Sequence, residues 1–145
     1  MTDKVVQVSV FLENKPGTLA EVTDVLSSGG IDLRFLTVAE TGEFGILRLI
    51  VPDPDSAVNT LSKAGYTSVE TEVVAVEIAD EPGTLNKLAR VTGDAGINIE
   101  YLYVFVVKPH KSAVAIVRSD NSEKLDDILT SGGFKVLTST ELYSL

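Results

Sequence analysis

The sequence predicts an α+β fold made of two copies of one unit, each with two helices on one face of a four-stranded antiparallel sheet. The first observation is a repeated segment, Asn14–Leu19 and Asp80–Leu85, whose shared Pro-Gly-Thr-Leu cores lie 66 residues apart. The second is a later step, Gly30–Leu33 and Gly96–Ile99, which follows each copy at the same distance. The third is the apolar periodicity, which runs as strand, helix, strand, strand, helix, strand in both halves. That order is typical of a split strand-helix-strand unit.

The elements of the first copy have local signals. Val6, Val8 and Val10 alternate with polar residues, which predicts a first strand with one buried face. Asp53 is expected to cap the second helix, with Pro54 at its first position. The predicted elements are a strand at 6–11, a helix from Leu19 to Leu26 that ends at Gly29 and Gly30, strands at 31–35 and 46–51, and a helix from Pro54 to Ala64 that ends at Gly65.

The second copy repeats this order. Asp120 and Glu123 have the spacing of a capping box, so Asp120 is predicted to cap the last helix. The predicted elements are a helix from Leu85 to Thr92, a strand that begins at Ile97, a hairpin of strands 104–108 and 112–117, a helix from Leu125 to Leu129 that ends at Gly132, and a last strand at 134–142.

The junction between the copies has two interpretations. One long strand, Thr67–Ala79, serves both copies, or the first copy lacks its last strand and Val136–Tyr143 crosses over to complete its sheet. We favour the shared strand. The nominal domains are therefore residues 1–70 and 71–145, and we expect their sheets to be joined side by side.

Composition excludes several classes of function. The 145 residues are 44% hydrophobic and 23% charged, as in a globular protein, and their net charge is −9. Nucleic acid is an unsuitable partner, because phosphate binding needs a concentrated positive surface. Residues 1–5 lack a basic segment followed by an apolar one, and the densest apolar run, Tyr101–Val107, is too short for a membrane span. With no cysteine, the chain fits a cytoplasmic location.

Catalytic and metal sites are not indicated. His110 is the sole histidine, lies in a predicted turn and has no cysteine or second histidine with which to share a metal. Asp53 and Asp55 lack the spacing of a calcium loop, and Ser27 lies at a helix end without a base nearby. We therefore expect no catalytic residues, no metal and no cofactor.

The repeated Pro-Gly turn is the candidate binding feature. Glycine allows a ligand to approach the main chain closely, and a helix start exposes free amide donors. In the first copy those donors are the amides of Gly17, Thr18 and Leu19, which suit the carboxylate of a small molecule. The alternative is that the turn serves geometry alone, with Asn14 or Asp80 as a helix cap.

The two turns and the two later steps resemble those of ACT domains, and the resemblance covers nearly the whole chain as a tandem pair. It implies two ferredoxin-like units. Members of that family are regulatory modules that often bind amino acids at interfaces between paired domains, and they are frequently fused to biosynthetic enzymes. No catalytic domain is present here, so the resemblance implies a protein that is not an enzyme.

The resemblance also implies the ligand-binding residues. If the turn of one copy faces the step of the other, Asn14 pairs with Asn98 and Asp80 pairs with Asp32. Two carboxylates repel a ligand carboxylate, so we expect one competent site per chain, built on Asn14 and Asn98. If chains pair copy to copy, each site has one Asn and one Asp instead. The implied positions are Asn14, Lys15, Pro16, Gly17, Thr18, Leu19, Asp32, Asp80, Glu81, Pro82, Gly83, Thr84, Leu85 and Asn98.

Two functions remain open at this point. One is an amino-acid sensor, expected to be a homodimer, that changes the activity of a partner in amino-acid metabolism. The other is a detached regulatory subunit that acts by contact with a biosynthetic enzyme, similar to the small subunit of acetolactate synthase. The sequence does not specify which amino acid is bound.

Overall fold

The computed structural model describes residues 4–145; residues 1–3, on which the expected lack of a leader partly depends, lie outside the described part. Within it the chain forms seven strands and five helices. They are β1 (Val5–Glu13), α1 (Thr18–Ser28), β2 (Phe35–Thr41), β3 (Phe44–Ile50), α2 (Pro54–Lys63), β4 (Ser68–Ala79), α3 (Thr84–Asp94), β5 (Ile99–Lys108), β6 (Ser112–Ser119), α4 (Ser122–Ser131), β7 (Lys135–Leu137) and α5 (Ser139–Tyr143).

The chain divides into two compact units. The N-terminal unit is Val6–Thr71, and the C-terminal unit contains Lys4, Val5 and residues 72–145. In the N-terminal unit the strand order is β2-β3-β1, and the chain entering β4 lies beside β1, where the Phe11 amide donates to the Thr67 carbonyl at 3.1 Å. In the C-terminal unit the order is β5-β6-β4-β7. Both orders are those of a ferredoxin-like unit.

The junction is a single strand. β4 runs without interruption from Ser68 to Ala79, so the shared-strand interpretation describes it correctly. The crossing alternative was wrong, because β7 pairs with Ala75, Val76 and Glu77 inside the C-terminal unit. The division of the chain into domains at residue 70 stays a prediction.

Each unit has its own apolar core, which lies between its sheet and its helices. Alternate residues of the strands point to one face and meet the apolar stripe of two helices. In the N-terminal unit the buried members are Val8, Val10, Leu12, Val22, Leu26, Leu47, Leu49, Val51, Ala57 and Leu61. In the C-terminal unit they are Val74, Val76, Ile78, Leu88, Ile97, Ala113, Ala115, Val117, Leu125 and Leu129.

The predicted last strand was wrong over most of its length. Only Lys135–Leu137 is extended, and the chain then turns into helix α5. The reason is a capping box: Thr138 Oγ1 accepts from the Glu141 amide at 3.1 Å, and Glu141 Oε1 accepts from the Thr138 amide at 3.1 Å. Leu142 is fully buried, so packing holds the short helix in place.

Three smaller predictions were also wrong. Strand β2 begins at Phe35 instead of residue 31, because residues 31–34 form a connecting loop whose Ile31 and Leu33 pack against the core. The cap of α4 is Asn121, whose side chain accepts from the Lys124 amide, instead of Asp120. In β1, Gln7 and Ser9 are buried as well as Val8 and Val10, so that strand is buried on both faces.

We expect Thr138→Ala to lower the free energy of unfolding by about 1 kcal/mol, the usual cost of losing an N-cap hydroxyl. Urea denaturation followed by far-UV circular dichroism measures it. Ser62→Ala is the matched control, since it removes an exposed hydroxyl from the last turn of α2 that caps nothing. Equal stability of Thr138→Ala and the wild type would contradict the capping role.

The cap also predicts a dependence on pH. The Thr138 amide, by donating to the Glu141 carboxylate, lowers the pKa of Glu141. Its stabilising contribution is therefore complete above the ordinary pKa of glutamate and is lost as the pH falls through the lowered pKa. We expect Glu141→Gln to be less stable than the wild type at pH 7 and equally stable near pH ~3. Glu43→Gln, at an exposed turn, is expected to differ little at either pH.

Candidate functional site

The two strand-to-helix turns have the same backbone. Gly17 has φ 91° and Gly83 has φ 93°, both left-handed, and each is the residue from which its helix starts. The amides of Glu21 and Lys87 donate to the carbonyls of these glycines at 3.0 Å. A Cβ built on either glycine meets no atom within 4 Å, so conformation rather than crowding requires glycine. The space beside both turns is open.

The helices that follow these turns are the two without side-chain caps. Among residues 4–145, α2, α4 and α5 are capped by Asp53, Asn121 and Thr138, whereas α1 and α3 have no side-chain acceptor at their starts. A helix start leaves amide donors free, and an anion satisfies them. The uncapped starts therefore coincide with the two turns that the sequence singled out.

The turn amides differ in how free they are. The Thr18 amide is 3.4 Å from the Lys15 carbonyl and the Thr84 amide is 3.5 Å from that of Glu81, so both are weakly bonded. The amides of Gly17 and Leu19, like those of Gly83 and Leu85, have no hydrogen-bond acceptor within the described residues. In each turn, two free amides on either side of the threonine can thus donate to one carboxylate.

Asn14 and Asp80 tie their turns to the tips of neighbouring hairpins. The Asn14 Nδ2 group donates to the Gly42 carbonyl at 2.9 Å, and the Asp80 carboxylate accepts from the His110 amide at 2.7 Å. The first copy has an amide at this position because its partner is a carbonyl, which needs a donor. The second copy has a carboxylate because its partner is an N–H group, which needs an acceptor. This contact accounts for the difference between the copies without a ligand.

Asp32 and Asn98 lie away from the turns of their own units. Both are exposed and follow the C-terminal ends of α1 and α3, and Asp32 pairs loosely with Arg34 at 4.0 Å. An 11-residue helix is about 16 Å long, so one unit does not bring its turn and its step to the same small ligand. The pairings of Asn14 with Asn98 and of Asp80 with Asp32 stay predictions.

A cavity of about 590 Å³ lies against the second turn, inside the C-terminal unit. Its volume is in the range of small-molecule sites. The end of β4, the turn, the first turn of α3, the hairpin tip and the start of β7 contribute to it. The charged residues that line it are Glu77, Glu81, Lys87, Lys111 and Lys135.

The sequence interpretation missed the three lysines of this cavity. They are separated by about two dozen residues each, and no local motif joins them. A charge comparison of the two repeats could have found Lys87, which stands where the first copy has Glu21. In the first turn, by contrast, the lysine is already paired: Lys15 Nζ is 3.0 Å from Glu13 Oε2, a hydrogen-bonded ion pair that raises the pKa of Lys15.

The threonines of the turns also differ. Thr18 is only 8% exposed, and its Oγ1 has no hydrogen-bond partner within the described residues. Thr84 is half-buried and lines the cavity. A second cavity in the C-terminal unit, of about 500 Å³, is lined by Lys4 and four carboxylates, which makes it unsuitable for an anion. Its carboxylates belong to Glu72, Glu123, Asp126 and Asp127.

The described part of the chain shows neither a metal cluster nor a helix suited to a membrane. Residues 4–145 contain no cluster of three or more His, Asp or Glu residues placed to hold a metal ion. None of their helices combines the length and the apolar character that crossing a bilayer requires. His110 lies exposed at a hairpin tip with φ 63°, as expected of a turn residue.

The chain belongs to the ACT domain pair family, whose sequence profile matches residues 1–145. This confirms the resemblance seen in the two turns and the two steps, and with it the ferredoxin-like fold of the units.

Known proteins resemble the chain at different levels. The crystal structure of protein BT0572 from Bacteroides thetaiotaomicron is 37% identical with a TM-score of 0.90, each chain covering 99% of the other. The regulatory subunit of aspartate kinase from Thermus flavus is 16% identical with a TM-score of 0.65, over 90% of this chain and 93% of that one. D-3-phosphoglycerate dehydrogenase 3, chloroplastic, of Arabidopsis thaliana is 24% identical over 134 residues. That match covers 89% of this chain, which spans only 22% of the length of the enzyme.

The side-chain hydrogen bonds of Asn14 and Asp80 to the hairpin tips predict losses of stability of different size for two exchanges. Asn14→Asp places a carboxylate against the Gly42 carbonyl, and we expect it to lower the free energy of unfolding by about 1–2 kcal/mol. Asp80→Asn keeps an oxygen that accepts from the His110 amide, so a loss of about 0.5 kcal/mol or less is expected. Chemical denaturation of both variants measures the difference, and equal losses would contradict these roles.

Proposed function

We propose that the chain is a non-catalytic regulatory protein that binds a small amino acid at its Pro-Gly turns and modulates an enzyme of amino-acid metabolism. The observation that carries the proposal is the pair of uncapped helix starts at Gly17 and Gly83, in a chain whose other helices in the described part are capped by their own side chains. Free amides at a left-handed glycine turn suit a ligand carboxylate.

Family membership supports the same proposal. The Thermus flavus neighbour, which has the same fold, is described as a regulatory subunit, and the Arabidopsis thaliana relative carries its matching region within a much longer enzyme. By analogy, the ligand is an amino acid and the regulated partner is a biosynthetic enzyme. The chain is proposed to work in the cytoplasm, in keeping with its lack of cysteine.

One observation favours the second candidate, a detached regulatory subunit that acts mainly by protein contact. The edge strands β2, in the N-terminal unit, and β5, in the C-terminal unit, expose apolar side chains. Val38 is 49% exposed and Val106 is 55% exposed. An end strand with exposed apolar residues offers both backbone groups and apolar surface to another chain. These strands are where we propose that a second copy, in a homodimer, or a partner enzyme attaches.

A thermal-shift screen with the twenty amino acids tests the sensor proposal. A ligand at a hundred times its dissociation constant stabilises a folded protein by about 2.7 kcal/mol. For a chain of this size we expect Tm to rise by about 5–10 °C with one of them. The D-enantiomer of the active amino acid is the control, because it keeps the carboxylate and changes the direction of the side chain.

The two candidates give different results in this screen. No response to any amino acid, together with co-purification of an enzyme, would contradict the sensor and favour the subunit. Isothermal titration then counts the sites. If the site is built on Asn14 and Asn98, we expect one site per chain, with lower affinity in Asn14→Ala and in Asn98→Ala. Two equivalent sites, or unchanged affinity in Asn14→Ala, would contradict this.

A further inference from the structure

Three lysines line the cavity beside the second turn, although the protein as a whole is acidic. Lys87, Lys111 and Lys135 line it against two carboxylates, whereas the chain as a whole has a net charge of −9. Its lining therefore has one more lysine than carboxylate, with Lys135 paired to Glu141 outside the lining, and it lies beside the uncapped start of α3. Both features favour a ligand with negative groups.

The three lysines lie on different elements: Lys87 on α3, Lys111 in the turn between β5 and β6, and Lys135 on β7. Lys87 Nζ lies 5.3 Å from the centroid of the Phe134 ring, which places its ammonium group beside the cavity wall formed by that ring. Lys135 forms an exposed ion pair with Glu141 at 3.5 Å. Within the described residues, Lys87 and Lys111 form no ion pair, so both retain unused donors for a ligand.

The first unit provides an internal comparison, because equivalent hydrogen bonds identify equivalent positions. The Asn14 amide donates to the Glu43 carbonyl and the Asp80 amide to that of Lys111, so Glu43 corresponds to Lys111. The Glu21 and Lys87 amides donate to Gly17 and Gly83 in the same way.

The third lysine, Lys135, has an uncharged equivalent in the N-terminal unit. Tyr66 and Phe134 each donate to the carbonyl five residues back, which makes Thr67 the counterpart of Lys135. The second turn thus has three lysines where the first has Glu21, Glu43 and Thr67. The two turns share a backbone and differ in charge.

We propose that the second turn selects an amino acid whose side chain is also acidic. This rests on the amino-acid binding proposed above, and it is the alternative to the version of that function with its site at Asn14 and Asn98. The turn amides, Lys87 and Lys111 serve two carboxylates, and Glu77 or Glu81 serves the ammonium group of the ligand. Lys87 and Lys111 determine the preference for the second carboxylate. The first turn, with glutamates at those positions, does not share it.

Isothermal titration with L-aspartate and L-glutamate, against the isosteric amides L-asparagine and L-glutamine, tests the proposal. The acidic ligand is expected to bind at least tenfold more tightly than its amide, and succinate more weakly than aspartate because it lacks the ammonium group. We expect Lys111→Gln and Lys87→Gln each to weaken binding about fivefold to tenfold, as for charged hydrogen bonds near solvent. Lys124→Gln, an exposed lysine of α4 that does not line the cavity, is the matched control.

A second variant tests the comparison between the turns. Glu21→Lys combined with Glu43→Lys gives the first turn the charges of the second, and we expect it to add a second site for the acidic ligand. Equal affinity for acid and amide, succinate binding as tightly as aspartate, or an equal loss in Lys124→Gln would overturn the inference and leave the amino-acid function intact. Binding of no amino acid at all would instead contradict the proposed function.

Discussion

The left-handed conformation at Gly17 and Gly83 is the constraint on which both units depend. It turns the chain from the end of the first strand directly into the first helix, so the helix can pack its apolar stripe onto the same face of the sheet. Because the turn residue itself starts the helix and has no side chain, no cap forms. The geometry that folds the unit also leaves amide donors uncovered.

The other helix starts show what the two turns lack. Asp53, Asn121 and Thr138 each accept from the amide three residues further on, which satisfies a donor that would otherwise need water or a ligand. The starts of these three helices therefore already have an acceptor from the chain itself. The contrast within one chain separates the helix starts that serve only stability from the two that are available for binding.

Duplication has kept the backbone of the unit and changed its charges. The backbone hydrogen bonds that shape the two turns join equivalent positions at similar distances, including the weak one that each threonine amide donates. Around that common frame, the first turn carries a paired Lys15 and two glutamates, whereas the second has three lysines beside a cavity. The side chains that differ are not those that hold the fold, so the two turns share a backbone and differ in charge.

Local spacing in the sequence determined the repeat, the two Pro-Gly turns, the core periodicity and the Asp53 cap, because each depends on residues within a few positions of one another. The tertiary structure decided the rest. Residues 135–137 are a strand only because β4 offers them an edge, and α5 is held in place by the burial of Leu142. Its capping box, Thr138 with Glu141, is a local signal that the sequence interpretation missed. The partner of Asn14 is 28 residues away and the cavity lysines come from three distant segments. Such neighbours are set by how the chain closes on itself, which no local pattern records.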